Sequence, residues 1–288
     1  MDSDDGLDRA LSSLPDHRRL LERALEWLCD DDRIAGVVLG GSFADPTVDT
    51  DSGSDLDLYV VVRDGAFESI FADRDAIAAA IGDPLFGFVP DHLPGGDRDY
   101  VVLYDGPVKV DFVYVPWSDF DPAWKWSSVR PLYDATGRIA DVVAASRDRS
   151  PPQPTSEALR AHNEGFWIQC WYVHTKIERG ERWAALDGLH TIRTQVLCPL
   201  LAWSTGTPEE GYRRLERRLE SASDSTLPDR FAATVATPDR ASLSSAMDAT
   251  IDCYLELRDA VADRYDFSFD PDPERAVIEA IESREHPR

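Results

Sequence analysis

The chain has 288 residues, 43% of them hydrophobic and 10% aromatic, enough to bury a core without disulfide or metal staples. It has no run of about 18 apolar residues, which excludes a membrane-spanning helix. Its acidic start, Met1-Asp2-Ser3-Asp4-Asp5, lacks an apolar signal segment, so a cytoplasmic protein is expected. Acidic residues outnumber basic ones 54 to 30, for a formal charge of −24.

In chain order, Leu20, Leu21, Ala24, Leu25 and Leu28 have helical spacing and predict a helix over 16–29. Asp30-Asp31-Asp32 ends it, and the apolar run from Ile34 to Leu39 reads as a buried strand. Gly40-Gly41-Ser42 breaks that strand, and a polar loop follows from Asp45 to Ser54. From Asp55 to Val62 the residues alternate, with Leu56, Leu58, Val60 and Val62 on one strand face and Asp55 and Asp57 on the other. A helix is expected over 66–81, then a hairpin from two strands, Tyr100–Tyr104 and Val108–Val115, joined by Asp105-Gly106-Pro107. These elements make an α+β domain, a mixed sheet with flanking helices.

Three prolines in Pro151-Pro152-Gln153-Pro154 mark a domain boundary near residue 150. Beyond it, helices are expected over 157–179, 184–203, 209–220 and 243–265, an all-α bundle over 151–288. Pro199 should kink or shorten the second of them. The four cysteines (Cys29, Cys170, Cys198, Cys253) form no C-x-x-C pair and read as reduced core thiols.

The chemistry resides in the first domain. Asp55 and Asp57, two apart on a strand, project side by side and repel each other unless a cation lies between them. Mg²⁺ suits such a pair, since it takes hard oxygen ligands from a few carboxylates and substrate phosphates. The turn at Gly41-Ser42 follows a buried strand and can open a helix, presenting backbone N–H groups and a hydroxyl to an anion. A third carboxylate, Asp111, interrupts the apolar pattern of its own strand, where an unpaired charge would be costly. A ligand or metal role is therefore favoured for it.

In this order, Gly41-Ser42, Asp55-Leu56-Asp57 and Asp111 resemble the signature of the DNA polymerase β-type nucleotidyltransferases. Among these the chain is most similar to the aminoglycoside adenylyltransferases, particularly the streptomycin-modifying branch linked to antibiotic resistance. Leu103-Tyr104-Asp105-Gly106-Pro107-Val108-Lys109-Val110-Asp111 and Asn163-Glu164-Gly165-Phe166-Trp167 carry that closer likeness. The resemblance implies transfer of AMP from ATP to a hydroxyl of a small molecule, with two Mg²⁺ ions held by Asp55, Asp57 and Asp111. It gives Gly41 and Ser42 the β- and γ-phosphates, and makes the helical domain the wall that closes the cleft.

In that helical domain, Lys176 is the sole lysine and is expected to contact phosphate; Glu164 is expected as a general base or a contact to a cationic acceptor. Trp167, Trp171 and Trp183 are candidates for an acceptor pocket, although helical aromatics commonly serve the core. His162, His174 and His190 lack zinc-binding spacing.

Two alternatives stay open: AMPylation of a protein or nucleotidyl transfer to an RNA end, and a non-catalytic nucleotide-binding regulator. No basic stripe favours RNA; Arg213, Arg214, Arg217 and Arg218 read as one face of a helix. The charge of −24 fits either attraction of a cationic substrate or adaptation to high salt. Because the acidity runs along the whole chain, the halophilic reading is preferred.

Overall fold

The computed structural model describes residues 4–45, 48–92, 96–222 and 225–285, and the chain divides into two compact units between Ser150 and Pro151. The first is built on a six-stranded sheet of β1 (Ile34–Leu39), β2 (Leu56–Val62), β3 (Pro84–Phe88), β4 (Asp99–Tyr104), β5 (Val108–Pro116) and β6 (Arg130–Asp134). Its order is β3-β4-β5-β2-β1-β6, and only β2 and β5 run parallel.

Alternation decides which face of this sheet is covered. Leu56, Leu58, Val60, Val110 and Phe112 are fully or almost fully buried, together with Leu20, Leu21, Ala24 and Leu28 of α2 (Pro15–Asp30). Each of the leucine, valine and phenylalanine side chains stabilises the fold by about 1.5–3 kcal/mol relative to exposure. On the opposite face a smaller core joins Val38, Val61 and Val115 to Trp126 and to Ile139, Val142 and Val143 of α6 (Ile139–Ser146). That core covers the C-terminal ends of β2 and β5. The N-terminal ends, which carry Asp57, Lys109 and Asp111, are left with partial exposure.

The helix expected over 66–81 is two helices, α4 (Phe67–Ala72) and α5 (Arg74–Ile81). Asp73 separates them with ψ near 0 (−1°), and its carboxylate takes a 2.7 Å ion pair from Arg33. Strands β3 and β6 were not foreseen. Both are sheet edges and contain Pro84 and Pro131, residues an edge tolerates but a strand pattern does not advertise.

The second unit is all helical: α7 (Ser156–Glu178), α8 (Arg182–Ile192), α9 (Cys198–Thr205), α10 (Leu215–Ser221), α11 (Leu227–Ala233), α12 (Arg240–Tyr265) and α13 (Pro271–Glu285). Thr155 caps α7 by accepting from Ala158 N at 3.1 Å, and Asp239 caps α12 by accepting from Ser242 N at 3.0 Å. Phe166, Cys170, Leu197, Leu201 and Tyr254 form part of a core of its own.

The segment expected as one helix over 184–203 contains a π turn, Arg193–Leu197, which restarts the chain as α9. Pro199 then falls in the first turn of α9, where its missing N–H is harmless. Of the helix expected over 209–220 only the end is helical, because Gly211 and Arg214 take left-handed φ values of 55° and 51°. Nor do the four arginines there share an open helix face. Arg218 is buried and donates to the carbonyls of Gly211 and Arg213. No described helix is long and apolar enough to cross a membrane.

Candidate active site

The turn after β1 is tied to β2 by a hydrogen bond from Gly40 N to Asp57 O, 2.8 Å. Gly41 opens the short helix α3 (Gly41–Ala44) with φ of 62°. A Cβ at this position would lie 1.8 Å from Asp57 Oδ2, so both the backbone angle and the space require glycine. This close approach is what sets the turn directly against the carboxylate. The Ser42 hydroxyl oxygen beside it is buried and has no hydrogen-bond partner among the described residues.

Asp55 lies immediately before β2, at the end of a turn in which Gly53 N donates to Asp51 Oδ1 and Ser54 N to Asp51 O. Parallel pairing then places Asp57 opposite Asp111 in register, since Leu56 pairs with Val110 and Leu58 with Phe112. One carboxylate oxygen from each of Asp55, Asp57 and Asp111 lies within 4.8 Å of the others, the one such acidic trio among the described residues. Asp111 Oδ1 is buried without a hydrogen-bond partner among the described residues.

A cation of the chain's own enters this group. Lys109 Nζ is 2.6 Å from Asp55 Oδ2 and 2.9 Å from Asp111 Oδ2. Burial by itself would lower its pKa; hydrogen bonds and charge attraction from Asp55 and Asp111 outweigh that and raise it. In chemical terms the site is a set of hard oxygen donors beside a glycine turn that can receive an anion.

Lys109 was not singled out from the sequence, though a signal existed: it is one of three lysines and shares a strand face with Asp111. His17 gave no such signal. It is buried on α2, its Nε2 donates to Ser54 O at 2.8 Å, and its ring lies 5.6 Å from that of Phe43. It thereby braces the two loops that carry Ser42 and Asp55.

A family model described as streptomycin adenylyltransferase matches residues 16–283. The chain belongs to that family. It is therefore an enzyme, a nucleotidyltransferase of the adenylyl-transferring kind. Aminoglycoside 6-adenylyltransferase of Bacillus subtilis (strain 168) is 24% identical over 204 residues, 68% of this chain and 70% of that protein. A crystal structure of an aminoglycoside 6-adenyltransferase from Bacillus subtilis covers 92% of this chain and 96% of its own, at 15% identity and a TM-score of 0.45. A nucleotidyltransferase-like protein from Exiguobacterium sibiricum 255-15 covers 90% and 78%, at 11% identity and a TM-score of 0.39.

The family match extends through the helical unit, where the remaining expected residues lie. Lys176 on α7 is largely buried, paired with Glu181 Oε2 at 2.6 Å and 5.2 Å from the Tyr172 ring centre. Glu164 is exposed and lines a cavity together with Trp167 and Trp171. Trp183 does not join them; it is 74% exposed near Gly180 and Pro238.

Proposed function

We propose that this enzyme transfers AMP from ATP to a hydroxyl of a small, polyhydroxylated, cationic acceptor of the aminoglycoside type, with a divalent metal held by Asp55, Asp57 and Asp111. The observation that carries the reading is the convergence of these three carboxylates beside the Gly41-Ser42 turn. The acceptor class rests on the family and on the Bacillus subtilis relative, whose name states an aminoglycoside substrate.

The residues fit a metal. Three oxygen donors at this spacing, one with a buried oxygen that lacks a partner among the described residues, match the ligand preference of Mg²⁺. Bound Mg²⁺, one ion or two, would supply Lewis-acid neutralisation of the phosphate oxygens at which charge develops.

The chain's own groups do the rest. Backbone N–H groups of the Gly41-Ser42 turn and the Ser42 hydroxyl hold the β- and γ-phosphates. Asp111 orients the acceptor hydroxyl and takes its proton as the oxygen–phosphorus bond to AMP forms and the bond to pyrophosphate breaks. Lys176 meets the charge of the departing pyrophosphate, and Glu164 the charge of the acceptor.

The test is mass spectrometry of streptomycin and related aminocyclitols incubated with the enzyme, Mg²⁺ and each nucleoside triphosphate. A product heavier by one adenylate, formed with ATP and abolished in Asp57→Asn, is the expected result. Label from ATP appearing only on a protein or RNA would overturn the small-molecule reading. Near-wild-type turnover in Asp57→Asn would overturn the metal assignment.

A further inference from the structure

The buried stripe of α2 runs through Leu20, Leu21, Ala24 and Leu28, and one turn before it, on the same face, stands His17. It is 3% exposed. An imidazole buried in such a stripe costs stability unless its polar atoms are bonded, so the partner it has taken is informative. That partner is the carbonyl oxygen of Ser54, 2.8 Å from Nε2.

This carbonyl belongs to the peptide plane that joins Ser54 to Asp55. The other polar groups of Ser54 are committed to the turn before it: its N–H donates to Asp51 O at 3.1 Å, and its Oγ accepts from Asp51 N at 3.0 Å. The bond from His17 therefore completes the fixing of Ser54 and orients the peptide from which the Asp55 side chain projects. The same imidazole meets the ring of Phe43, the residue that follows Ser42, with ring centres 5.6 Å apart. Phe43 is buried, and α3, which carries it, has four residues and is too short to hold itself. The direction of α3 thus depends on where Phe43 packs. From Asp45 to Asp55 the described residues form neither helix nor strand, so that segment does not by itself hold its two ends together.

We infer that His17 is a positioning residue of the active site with two separable arms: its N–H sets Asp55 through the Ser54 peptide, and its ring sets Ser42 through Phe43. The inference rests on the roles proposed above, Asp55 toward the metal and Ser42 toward phosphate. His17 reaches each of those residues only through a neighbour, so it acts on the site without entering it.

The arms separate in two substitutions of the full-length chain. His17→Phe keeps an aromatic ring against Phe43 and removes the donor; His17→Gln keeps a side-chain N–H and removes the ring. Mn²⁺ alone, followed by electron paramagnetic resonance, reads the carboxylates. Inorganic tripolyphosphate in EDTA, followed by calorimetry, reads the glycine turn. His17→Phe should weaken Mn²⁺ roughly three- to tenfold, the effect of one lost hydrogen bond, and leave tripolyphosphate nearly unchanged. His17→Gln should weaken tripolyphosphate roughly two- to tenfold, the effect of one lost ring pair, and leave Mn²⁺ nearly unchanged. Phe43→Leu should repeat the His17→Gln pattern from the other side of the contact. In turnover, His17→Phe should lose rate at limiting Mg²⁺ and recover it at saturating Mg²⁺, whereas His17→Gln should raise KM for ATP. A purely structural histidine would lower the melting temperature and leave both affinities of the folded variants as in wild type. That result, or equal loss of both ligands in both variants, would overturn the inference while wild-type binding upholds the site. Wild-type protein that binds neither Mn²⁺ nor tripolyphosphate would overturn the assignment of the site and the inference with it.

Discussion

Lys109 is the residue on which the charge balance of the site turns. Three carboxylates within 4.8 Å of one another repel, and the ammonium group bridging Asp55 and Asp111 offsets part of that repulsion. The same position makes it a competitor for any cation that uses those oxygens. Lys109→Met should therefore lower the melting temperature in EDTA and enlarge the stabilisation that added Mg²⁺ produces. Thermal shift over a Mg²⁺ series, with Mn²⁺ binding followed by electron paramagnetic resonance, measures both effects. An unchanged metal affinity would mean that Lys109 leaves the carboxylates to the metal without contest. The acidic trio was legible beforehand because strand alternation and an interrupted apolar run mark Asp55, Asp57 and Asp111 locally. What brings Gly41 against Asp57 is a backbone approach between two strands, which no local pattern encodes. The bridge from His17 to Ser54, 37 positions away, was invisible for the same reason.

At the scale of elements, the turn from β6 into α6 carries a second carboxylate with a definite task. Asp134 Oδ1 accepts from Thr136 N, Thr136 Oγ1 and Gly137 N, and its Oδ2 accepts from Ile139 N and Ala140 N. It thus caps α6 and fixes that helix over the β2–β5 face. Burial opposes its charge, but these hydrogen bonds outweigh burial and hold its pKa below the usual carboxylate range. Because the folded pKa is depressed, the stabilisation is complete above the unfolded value and is lost as pH falls through the acid range. Asp134→Ala should destabilise the first unit by about 1–2 kcal/mol at neutral pH, as loss of a helix cap does. The difference from wild type should shrink on acidification; denaturant melts at pH 7 and at pH 3–4 would check it. Equal losses at both pH values would assign the effect to packing. The strands that proved legible, β1, β2, β4 and β5, are the central ones whose alternation the core imposes. The edges β3 and β6 hide behind proline, and the break at Asp73 has no proline or glycine to announce it. In the helical unit periodicity marked α7, α8, α9 and α12 but not α11 or α13, while the π turn before Pro199 and the left-handed residues before α10 are backbone choices that apolar spacing does not report.

For the whole molecule the surplus of 24 negative charges sets two effects of opposite sign against each other when salt is added. Screening weakens ion pairs such as Arg18–Asp8 and Arg98–Asp119, whose partners are partly exposed. Exposed pairs contribute about 0–1 kcal/mol each at most, and many contribute nothing measurable. Screening also relieves repulsion among carboxylates spread over the entire surface, and the screening length shortens from about 10 Å at 0.1 M to about 3 Å at 1 M. With acidic residues at 54 and basic ones at 30, relief should outweigh loss. The melting temperature should therefore rise from low salt into molar KCl. Net relief of about 2–3 kcal/mol would give roughly 5–10 °C for a protein of this size. Screening proper requires that NaCl and tetramethylammonium chloride at equal ionic strength act nearly as well as KCl. If instead the acidity serves to draw in a cationic acceptor, the melting curve should stay flat while the apparent affinity for streptomycin falls steeply with salt. Melting and binding titrations over the same salt series separate these two uses of one charge, and a flat melting curve would remove salt adaptation as the reason for it.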